Sequence, residues 1–118
     1  MNALTTYLLD KKVLEPDTLY WITKHRKWCV LYGTTPQTIQ RNEVIEYIEL
    51  LVMQYQHKGT INTILDKIKW YYEYLIQKQQ IKTNPFVYAQ IESDKNRIFK
   101  QITSLLHVPN RYDTIPNH

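Results

Sequence analysis

Glycine is scarce in this sequence, and its scarcity excludes several kinds of fold and site. Gly33 and Gly59 are the only glycines among 118 residues, and neither follows an Asn or Asp to form the pair that marks a tight hairpin. Two isolated glycines also cannot build a glycine-rich phosphate loop. Because the rest of the sequence contains long periodic segments, the scarcity of glycine predicts an all-α fold.

Cysteine pairs and long apolar runs are also missing, which bears on the cellular compartment. Cys29 is the only cysteine, so an internal disulfide is excluded, as suits a reducing cytosol. No stretch reaches the roughly 18 apolar residues of a membrane span. Asp10 interrupts the apolar Leu8-Leu9 pair near the start, unlike a signal peptide. We therefore expect a cytoplasmic protein with no membrane partner.

The composition is that of one small globular domain. Hydrophobic residues make up 43% of the chain and charged residues 22%, an ordinary balance for a chain that builds a single core. Fifteen basic residues against eleven acidic ones give a net charge of +4. This excess is a mild bias toward polyanionic partners.

Apolar residues that recur at three- and four-residue steps predict a four-helix bundle. The helices are predicted, in chain order, at residues 18–32, 41–57, 60–84 and 86–106. Asp17 or Thr18 caps the first helix, and Gly33 ends it. Thr60 caps the third helix, and Pro85 ends it because the residue before a proline avoids the helical conformation.

The C-terminal part of the chain is less regular. The helix predicted at residues 86–106 is either continuous or broken in its polar middle, ESDKNR. Residues 107–118 contain two prolines and show no periodicity, which is typical of a tail or linker. We therefore assign residues 1–106 to one helical domain and residues 107–118 to a tail or interdomain linker.

Charge is distributed unevenly over the predicted helices. Residues 17–33 carry a net charge of +2, residues 34–57 carry −2 and residues 58–83 carry +3. One flank of the third helix is basic and aromatic and contains no acid: Thr63, Lys67, Trp70, Tyr74 and Lys78. The pattern predicts one face of the molecule that is suited to phosphates.

Enzyme constellations are not found in the sequence. The four histidines are scattered, and none stands at metal-ligand spacing from Cys29 or a carboxylate. We interpret His25 as a packed or surface helix residue. Ser93 and Ser104 have no base near them in sequence, although triads assemble in space. We therefore expect a protein that is not an enzyme and that uses no metal and no cofactor.

The third predicted helix combines a Thr-Ile start, an apolar stripe, an aromatic group and a terminal Asn-Pro at fixed distances. The matching residues are Thr60-Ile61, Leu65, Ile68-Lys69, Tyr71-Tyr72, Tyr74-Leu75 and Asn84-Pro85. Upstream, Thr18, Tyr32-Gly33 and the segment IQRNEVIEYI fit the first helix and the entry to the second. Over residues 18–85 this pattern resembles the N-terminal core-binding domain of tyrosine recombinases, the phage-integrase family.

The resemblance implies a SAM-like orthogonal bundle with an extra C-terminal helix or tail that clamps duplex DNA. Such recombinases serve DNA recombination and integration of bacterial or phage mobile elements, and they assemble as tetramers on DNA. Their catalytic residues lie in a separate C-terminal domain and include a His-x-x-Arg motif. His107 and Arg111 are one residue too far apart for that motif, so the chain is expected to be the non-catalytic module of a longer parent.

Nine residues are candidates for contacts with DNA: Lys24, Arg26, Lys27, Lys58, Thr60, Asn62, Thr63, Lys67 and Lys69. Asn62, Thr63 and Ile64 stand where the family often has arginines. This departure shifts the expected phosphate contacts toward Lys58, Lys67 and Lys69. The three cations of the first helix form either part of this interface or only a solvated face.

Trp70 and Tyr74 are candidates for a protein interface. Trp70 lies almost opposite the buried stripe of the third helix, so either the fourth helix covers it or another protomer does. An alternative function from a different class is a helical protein–protein interaction module without DNA binding. Its working surface would combine the acidic second helix with Trp70.

Overall fold

The computed structural model describes residues 2–91, and this part of the chain is all-α. Its four helices are α1 (Ala3–Asp10), α2 (Thr18–Tyr32), α3 (Arg41–Gln54) and α4 (Lys58–Gln77). The predicted all-α bundle is confirmed, but its helices are partly different ones, since α1 was not predicted. Residues 86–91 of the predicted fourth helix are not helical. The remainder of that helix and the predicted tail lie outside the described residues.

Helix α2 has the predicted bounds, and its C-terminal end has the predicted cause. Gly33 adopts the left-handed conformation, with φ 82°, and the Thr34 amide donates to the Cys29 carbonyl at 2.9 Å. The predicted side-chain cap at the other end is wrong. Asp17 makes no capping hydrogen bond, and the Thr18 hydroxyl accepts from the Glu15 amide at 2.8 Å instead.

Helix α3 begins where predicted and ends three residues early. At its start the Glu43 carboxylate accepts from the Gln40 amide at 2.7 Å, which fixes the first turn. At its end Tyr55 is extended, with φ −128° and ψ 139°. Its ring packs edge-on against Trp21 with centroids 5.9 Å apart, so a tertiary contact takes the place of the last predicted turn.

Helix α4 is displaced toward the N-terminus relative to its prediction. It begins at Lys58, so Thr60 lies inside the first turn and is not the cap. It ends at Gln77, well before Pro85, because Gln79 adopts a left-handed conformation with φ 62°. The Gln80 amide then donates to the Leu75 carbonyl at 2.9 Å. A glutamine in this conformation gives no signal in a sequence.

Helix α4 is the centre of the bundle, and α1 and α2 both pack against it. Its buried side includes Ile61, Leu65, Ile68 and Leu75, the apolar stripe predicted from the sequence. Tyr72, also predicted in that stripe, is fully buried against the ring of Phe86.

Two asparagines hold the segment after α4 against that helix. The Asn84 amide nitrogen donates to the Lys69 carbonyl at 3.0 Å and to Glu73 Oε2 at 2.9 Å. The Asn62 side chain accepts from the Ile91 amide at 2.7 Å and donates to the Ile91 carbonyl at 2.8 Å. The chain therefore returns along α4 toward its N-terminal half.

Candidate nucleic-acid interface

The basic and aromatic flank of α4 is where α1 packs. The centroid of the Tyr7 ring lies 5.5 Å from that of Tyr74 and 6.5 Å from that of Trp70. Trp70 and Tyr74 are therefore half-buried within one chain. The N-terminal helix supplies this cover, whereas the sequence left open whether a fourth helix or another protomer covers Trp70. A further contact of either ring with a second protomer stays a prediction.

Lys67 is buried beside two carboxylates. Its side chain is 6% exposed, and Nζ lies 3.1 Å from Glu15 Oε1 and 3.2 Å from Asp17 Oδ1. Burial acts to lower the pKa of Lys67, but the hydrogen bonds and charges of both carboxylates outweigh burial and raise that pKa. The hydrogen bond from Lys67 also lowers the pKa of Asp17. This geometry speaks against the predicted phosphate contact of Lys67, because its ammonium already has two partners.

Lys69 and Asn62 are likewise engaged in contacts within the chain. Lys69 Nζ lies 3.7 Å from Asp66 Oδ1, one turn away on the same helix. Both polar atoms of the Asn62 side chain bind the backbone of Ile91. The Asn62 amide is therefore a structural tie, which speaks against its predicted contact with a base or phosphate.

The three cations of α2 lie on different sides of that helix. Arg26 lies over the Tyr71 ring of α4, at 5.9 Å from the ring centroid. Lys24 lies over the Trp21 ring at 5.6 Å, and Lys24 and Lys27 both line a groove between α2 and α3. Two residues apart on a helix, Arg26 and Lys24 are separated by about 160° around its axis. The three cations of α2 therefore do not form a single face.

The N-terminal end of α4 is exposed and carries three of the predicted residues, Lys58, Thr60 and Thr63. The Thr63 hydroxyl donates to the Gly59 carbonyl at 2.8 Å. The N-cap residue His57 makes no side-chain hydrogen bond to the first turn. Because the first amides of a helix lack partners within it and carry the positive end of its dipole, this end favours anions.

Lys12, which follows α1, lies beside this end of α4. Lys12 and Thr63 line one cavity of about 370 Å³ next to Trp70. Thr60 and Thr63 line a neighbouring cavity of about 460 Å³ next to Trp21. Lys12 was not predicted as a site residue because α1 was not predicted, and a lysine in a connecting turn carries no signal of its own. We call Lys12, Lys58, Thr60 and Thr63 the α4-start surface.

Three carboxylates border the α4-start surface, and lysines lie beside all three. Lys67 contacts two of them and Lys69 contacts the third. Lys67 and Lys69, which were predicted to contact DNA, therefore offset part of the negative charge of these carboxylates. Two lysines against three carboxylates leave a charge of −1, and Lys12 and Lys58 bring the sum to +1.

Most residues of the recombinase-like motif serve the core in this structure. Tyr71 and Tyr72 are buried, and Tyr72 Oη lies 2.7 Å from the buried Nε2 of His25 on α2. Asn84 binds the backbone and a side chain of α4. Most of the motif therefore lies in the core, and only its Thr60 end is exposed on the α4-start surface.

His25 and Cys29 meet in the core, a contact that the sequence analysis did not predict. Cys29 Sγ lies 3.7 Å from His25 Nε2. Burial lowers the pKa of His25 to about 3, whereas burial and then the charge of Glu43 raise the pKa of the Cys29 thiol to about 11. Both groups are therefore neutral at pH 7, and a neutral thiol is neither a nucleophile nor a metal ligand.

No protein-family model matches this chain, and neither a curated protein nor a solved structure matches it. The likeness to recombinase core-binding domains therefore stands on the residues of this chain alone. Within residues 2–91, no group of three or more His, Cys, Asp or Glu side chains could hold a metal ion. In the same range, no helix is both long enough and apolar enough to cross a membrane.

Proposed function

We propose that this chain is the DNA-binding N-terminal module of a tyrosine-type site-specific recombinase. The α4-start surface binds the phosphate backbone of duplex DNA, and a separate catalytic domain of the same parent chain cleaves and rejoins the strands. The module itself is not an enzyme and needs no cofactor. It works in the cytoplasm of a bacterial or phage-infected cell, and its copies associate in a DNA-bound tetramer.

The exposed start of α4 is the observation that carries this proposal. Thr60 opens the recombinase-like motif and lies in the first turn of a 20-residue helix. Lys58 and Thr60 are both exposed there, and Lys12 lies on the same surface through its shared cavity with Thr63. The helix dipole, the first amides, the Thr60 hydroxyl and Lys12 thus lie at one end of α4, and Lys58 is exposed in the same first turn. Phosphate groups favour this combination.

The proposed mechanism is electrostatic. Lys12 and Lys58 neutralise phosphates and thereby release the counterions that had been condensed on the DNA. Thr60 and the first amides of α4 donate hydrogen bonds to phosphate oxygens and fix the position of the duplex. Contacts of this kind bind duplexes of any sequence.

Salt dependence of DNA binding tests the proposal. The measurement is fluorescence anisotropy of a labelled duplex of arbitrary sequence, titrated with the full chain at several salt concentrations. For the two phosphates that Lys12 and Lys58 neutralise, log K falls with log salt with a slope of roughly −1.8. In the double variant Lys12→Glu plus Lys58→Glu, we expect weaker binding and a slope of about zero.

The matched control is Lys78→Glu plus Lys82→Glu, which changes net charge equally. Both side chains are exposed, and Lys78 lies about 30 Å from Lys58 along the axis of α4. The control should keep the wild-type slope. Equal losses in the two double variants would reject the α4-start surface. An absence of binding at low salt would reject DNA binding altogether and favour the interaction module.

A further inference from the structure

An apolar groove lies between α2 and α3 and contains none of the lysines proposed to contact DNA. Its volume is about 290 Å³, and we call it the α2–α3 groove, lined chiefly by Trp21, Lys24, Lys27, Trp28, Leu31 and Leu50. Leu31 is 88% exposed at its rim. Met53, one turn beyond Leu50 on α3, is 83% exposed. Exposed apolar side chains around an apolar depression are typical of a protein-binding surface.

Ring contacts hold the aromatic wall of the groove in place. Trp28 stacks on Tyr32 with centroids 4.6 Å apart and meets Tyr47 edge-on at 5.0 Å. Trp21 packs edge-on against Tyr55. The stacked face of Trp28 is already covered by Tyr32, which disfavours stacking of nucleic-acid bases on that face. A preformed aromatic wall suits aliphatic anchors of a protein partner.

The charge of the groove specifies the partner further. Lys24 and Lys27 are the two charged residues that line it, and no carboxylate is among its lining residues. Lys24 is also positioned over Tyr20 and Trp21, at 5.4 and 5.6 Å from the ring centroids. A partner with carboxylates beside its apolar anchors therefore complements both features of this surface.

We propose that the α2–α3 groove binds an amphipathic helix of a partner protein, with acidic residues flanking its apolar face. Aliphatic side chains at i, i+3, i+4 and i+7 enter the groove between Trp28 and Leu50. Carboxylates on the same helix pair with Lys24 and Lys27. Trp21 borders both the groove and the α4-start surface, but the lysines of the two surfaces are different residues.

Two labelled peptides of about 18 residues, or five helical turns, test this proposal. Both have leucines at those spacings, and the flanking residues are glutamate in one and lysine in the other. A third peptide scrambles the acidic sequence and so lacks an apolar face. Anisotropy titrations with the full chain should give at least about tenfold tighter binding of the acidic amphipathic peptide than of the other two.

Variants distinguish binding in the groove from a general effect of net charge. Lys24→Glu plus Lys27→Glu should reverse the preference between glutamate and lysine peptides. Lys78→Glu plus Lys82→Glu changes net charge equally and should keep that preference.

Leu31→Asp should weaken binding of the acidic peptide about tenfold, because it removes an apolar side chain from the rim of the groove. Leu31 is exposed, so its substitution spares the core. Lys12→Glu plus Lys58→Glu should leave peptide binding unchanged even where it abolishes DNA binding.

Four outcomes would overturn the proposal. One is equal affinity for the acidic peptide and its scrambled version, and another is no binding of any peptide. A third is a dimer in sedimentation that Leu31→Asp dissociates, because a second copy would then occupy the groove. The fourth is displacement of the acidic peptide by single-stranded DNA from the Lys12→Glu plus Lys58→Glu variant, because nucleic acid would then bind in the groove itself.

Discussion

Single side chains in the core explain why α2 and α4 stay together. His25 on α2 is fully buried, and its Nε2 lies 2.7 Å from Tyr72 Oη on α4. The rings of Tyr47 and Phe86 surround it edge-on. An imidazole in this setting is neutral, because a charge would have no solvent around it.

Acid should therefore destabilise the protein through His25. Its pKa is about 3 in the folded chain against an ordinary 6.5, so the unfolded chain binds more protons between these values. The stabilisation from neutral His25 is complete above pH 6.5 and is lost as pH falls toward 3. We expect the free energy of unfolding, measured in urea, to fall by up to about 1.4 kcal/mol per pH unit between pH 6 and 4.5.

Substitution isolates this effect. His25→Phe should flatten the pH dependence and cost about 1–3 kcal/mol at pH 7, because the Tyr72 hydroxyl loses its partner. The double variant with Tyr72→Phe should recover part of that loss. An unchanged pH slope in His25→Phe would assign the acid sensitivity to other groups.

The sequence could show that His25 shares a helix face with apolar residues but not what it contacts. Tyr72 is 47 residues away in the chain, and only the packing of α2 on α4 brings the pair together. Lys67 illustrates the same limit. Its helix position predicted exposure, whereas Glu15 and Asp17 of a connecting segment cover it.

The ends of individual helices differ in how far their cause can be found in the sequence. Gly33 ends α2 as predicted, because glycine accepts a positive φ readily. Gln79 ends α4 with φ 62° although it has a side chain. The end of α4 therefore depends on tertiary contacts that outweigh the cost of this conformation.

The two glycines should respond oppositely to alanine. A Cβ would meet nothing within 4 Å at either position, so backbone conformation decides. Gly33→Ala should lower the free energy of unfolding by about 1 kcal/mol, because φ 82° disfavours a side chain. Gly59→Ala, in the first turn of α4, should raise it by about 0.4–1 kcal/mol. Urea unfolding measures both, and effects of the same sign would contradict this assignment.

The bundle as a unit is closed by the segment after α4. Ile91 is buried, and the Asn62 side chain binds both its amide and its carbonyl. Asn84 makes the corresponding tie further along α4. These contacts connect residues 29 and 15 positions apart and complete the core around Phe86.

Asn62→Ala should therefore release this segment. We expect faster hydrogen exchange of the Ile91 amide and a loss of about 1–3 kcal/mol in the free energy of unfolding, because two buried backbone groups lose their partner. Thr63→Ala is the control, since its exposed hydroxyl bonds only within α4. Equal exchange rates at Ile91 in both variants would show that Asn62 is not the tie.

Local chemistry along the chain was enough to determine the all-α class, the bounds of α2 and the buried stripe of α4, because helical periodicity and a glycine stop act over a few residues. Tertiary packing decided the rest. It placed α1 over Trp70, turned Lys67 and Asn62 inward and joined Lys12 to the start of α4. Each of these contacts joins segments distant in sequence. Burial and charge pairing depend on the whole bundle, and they decide which polar side chains remain at the surface.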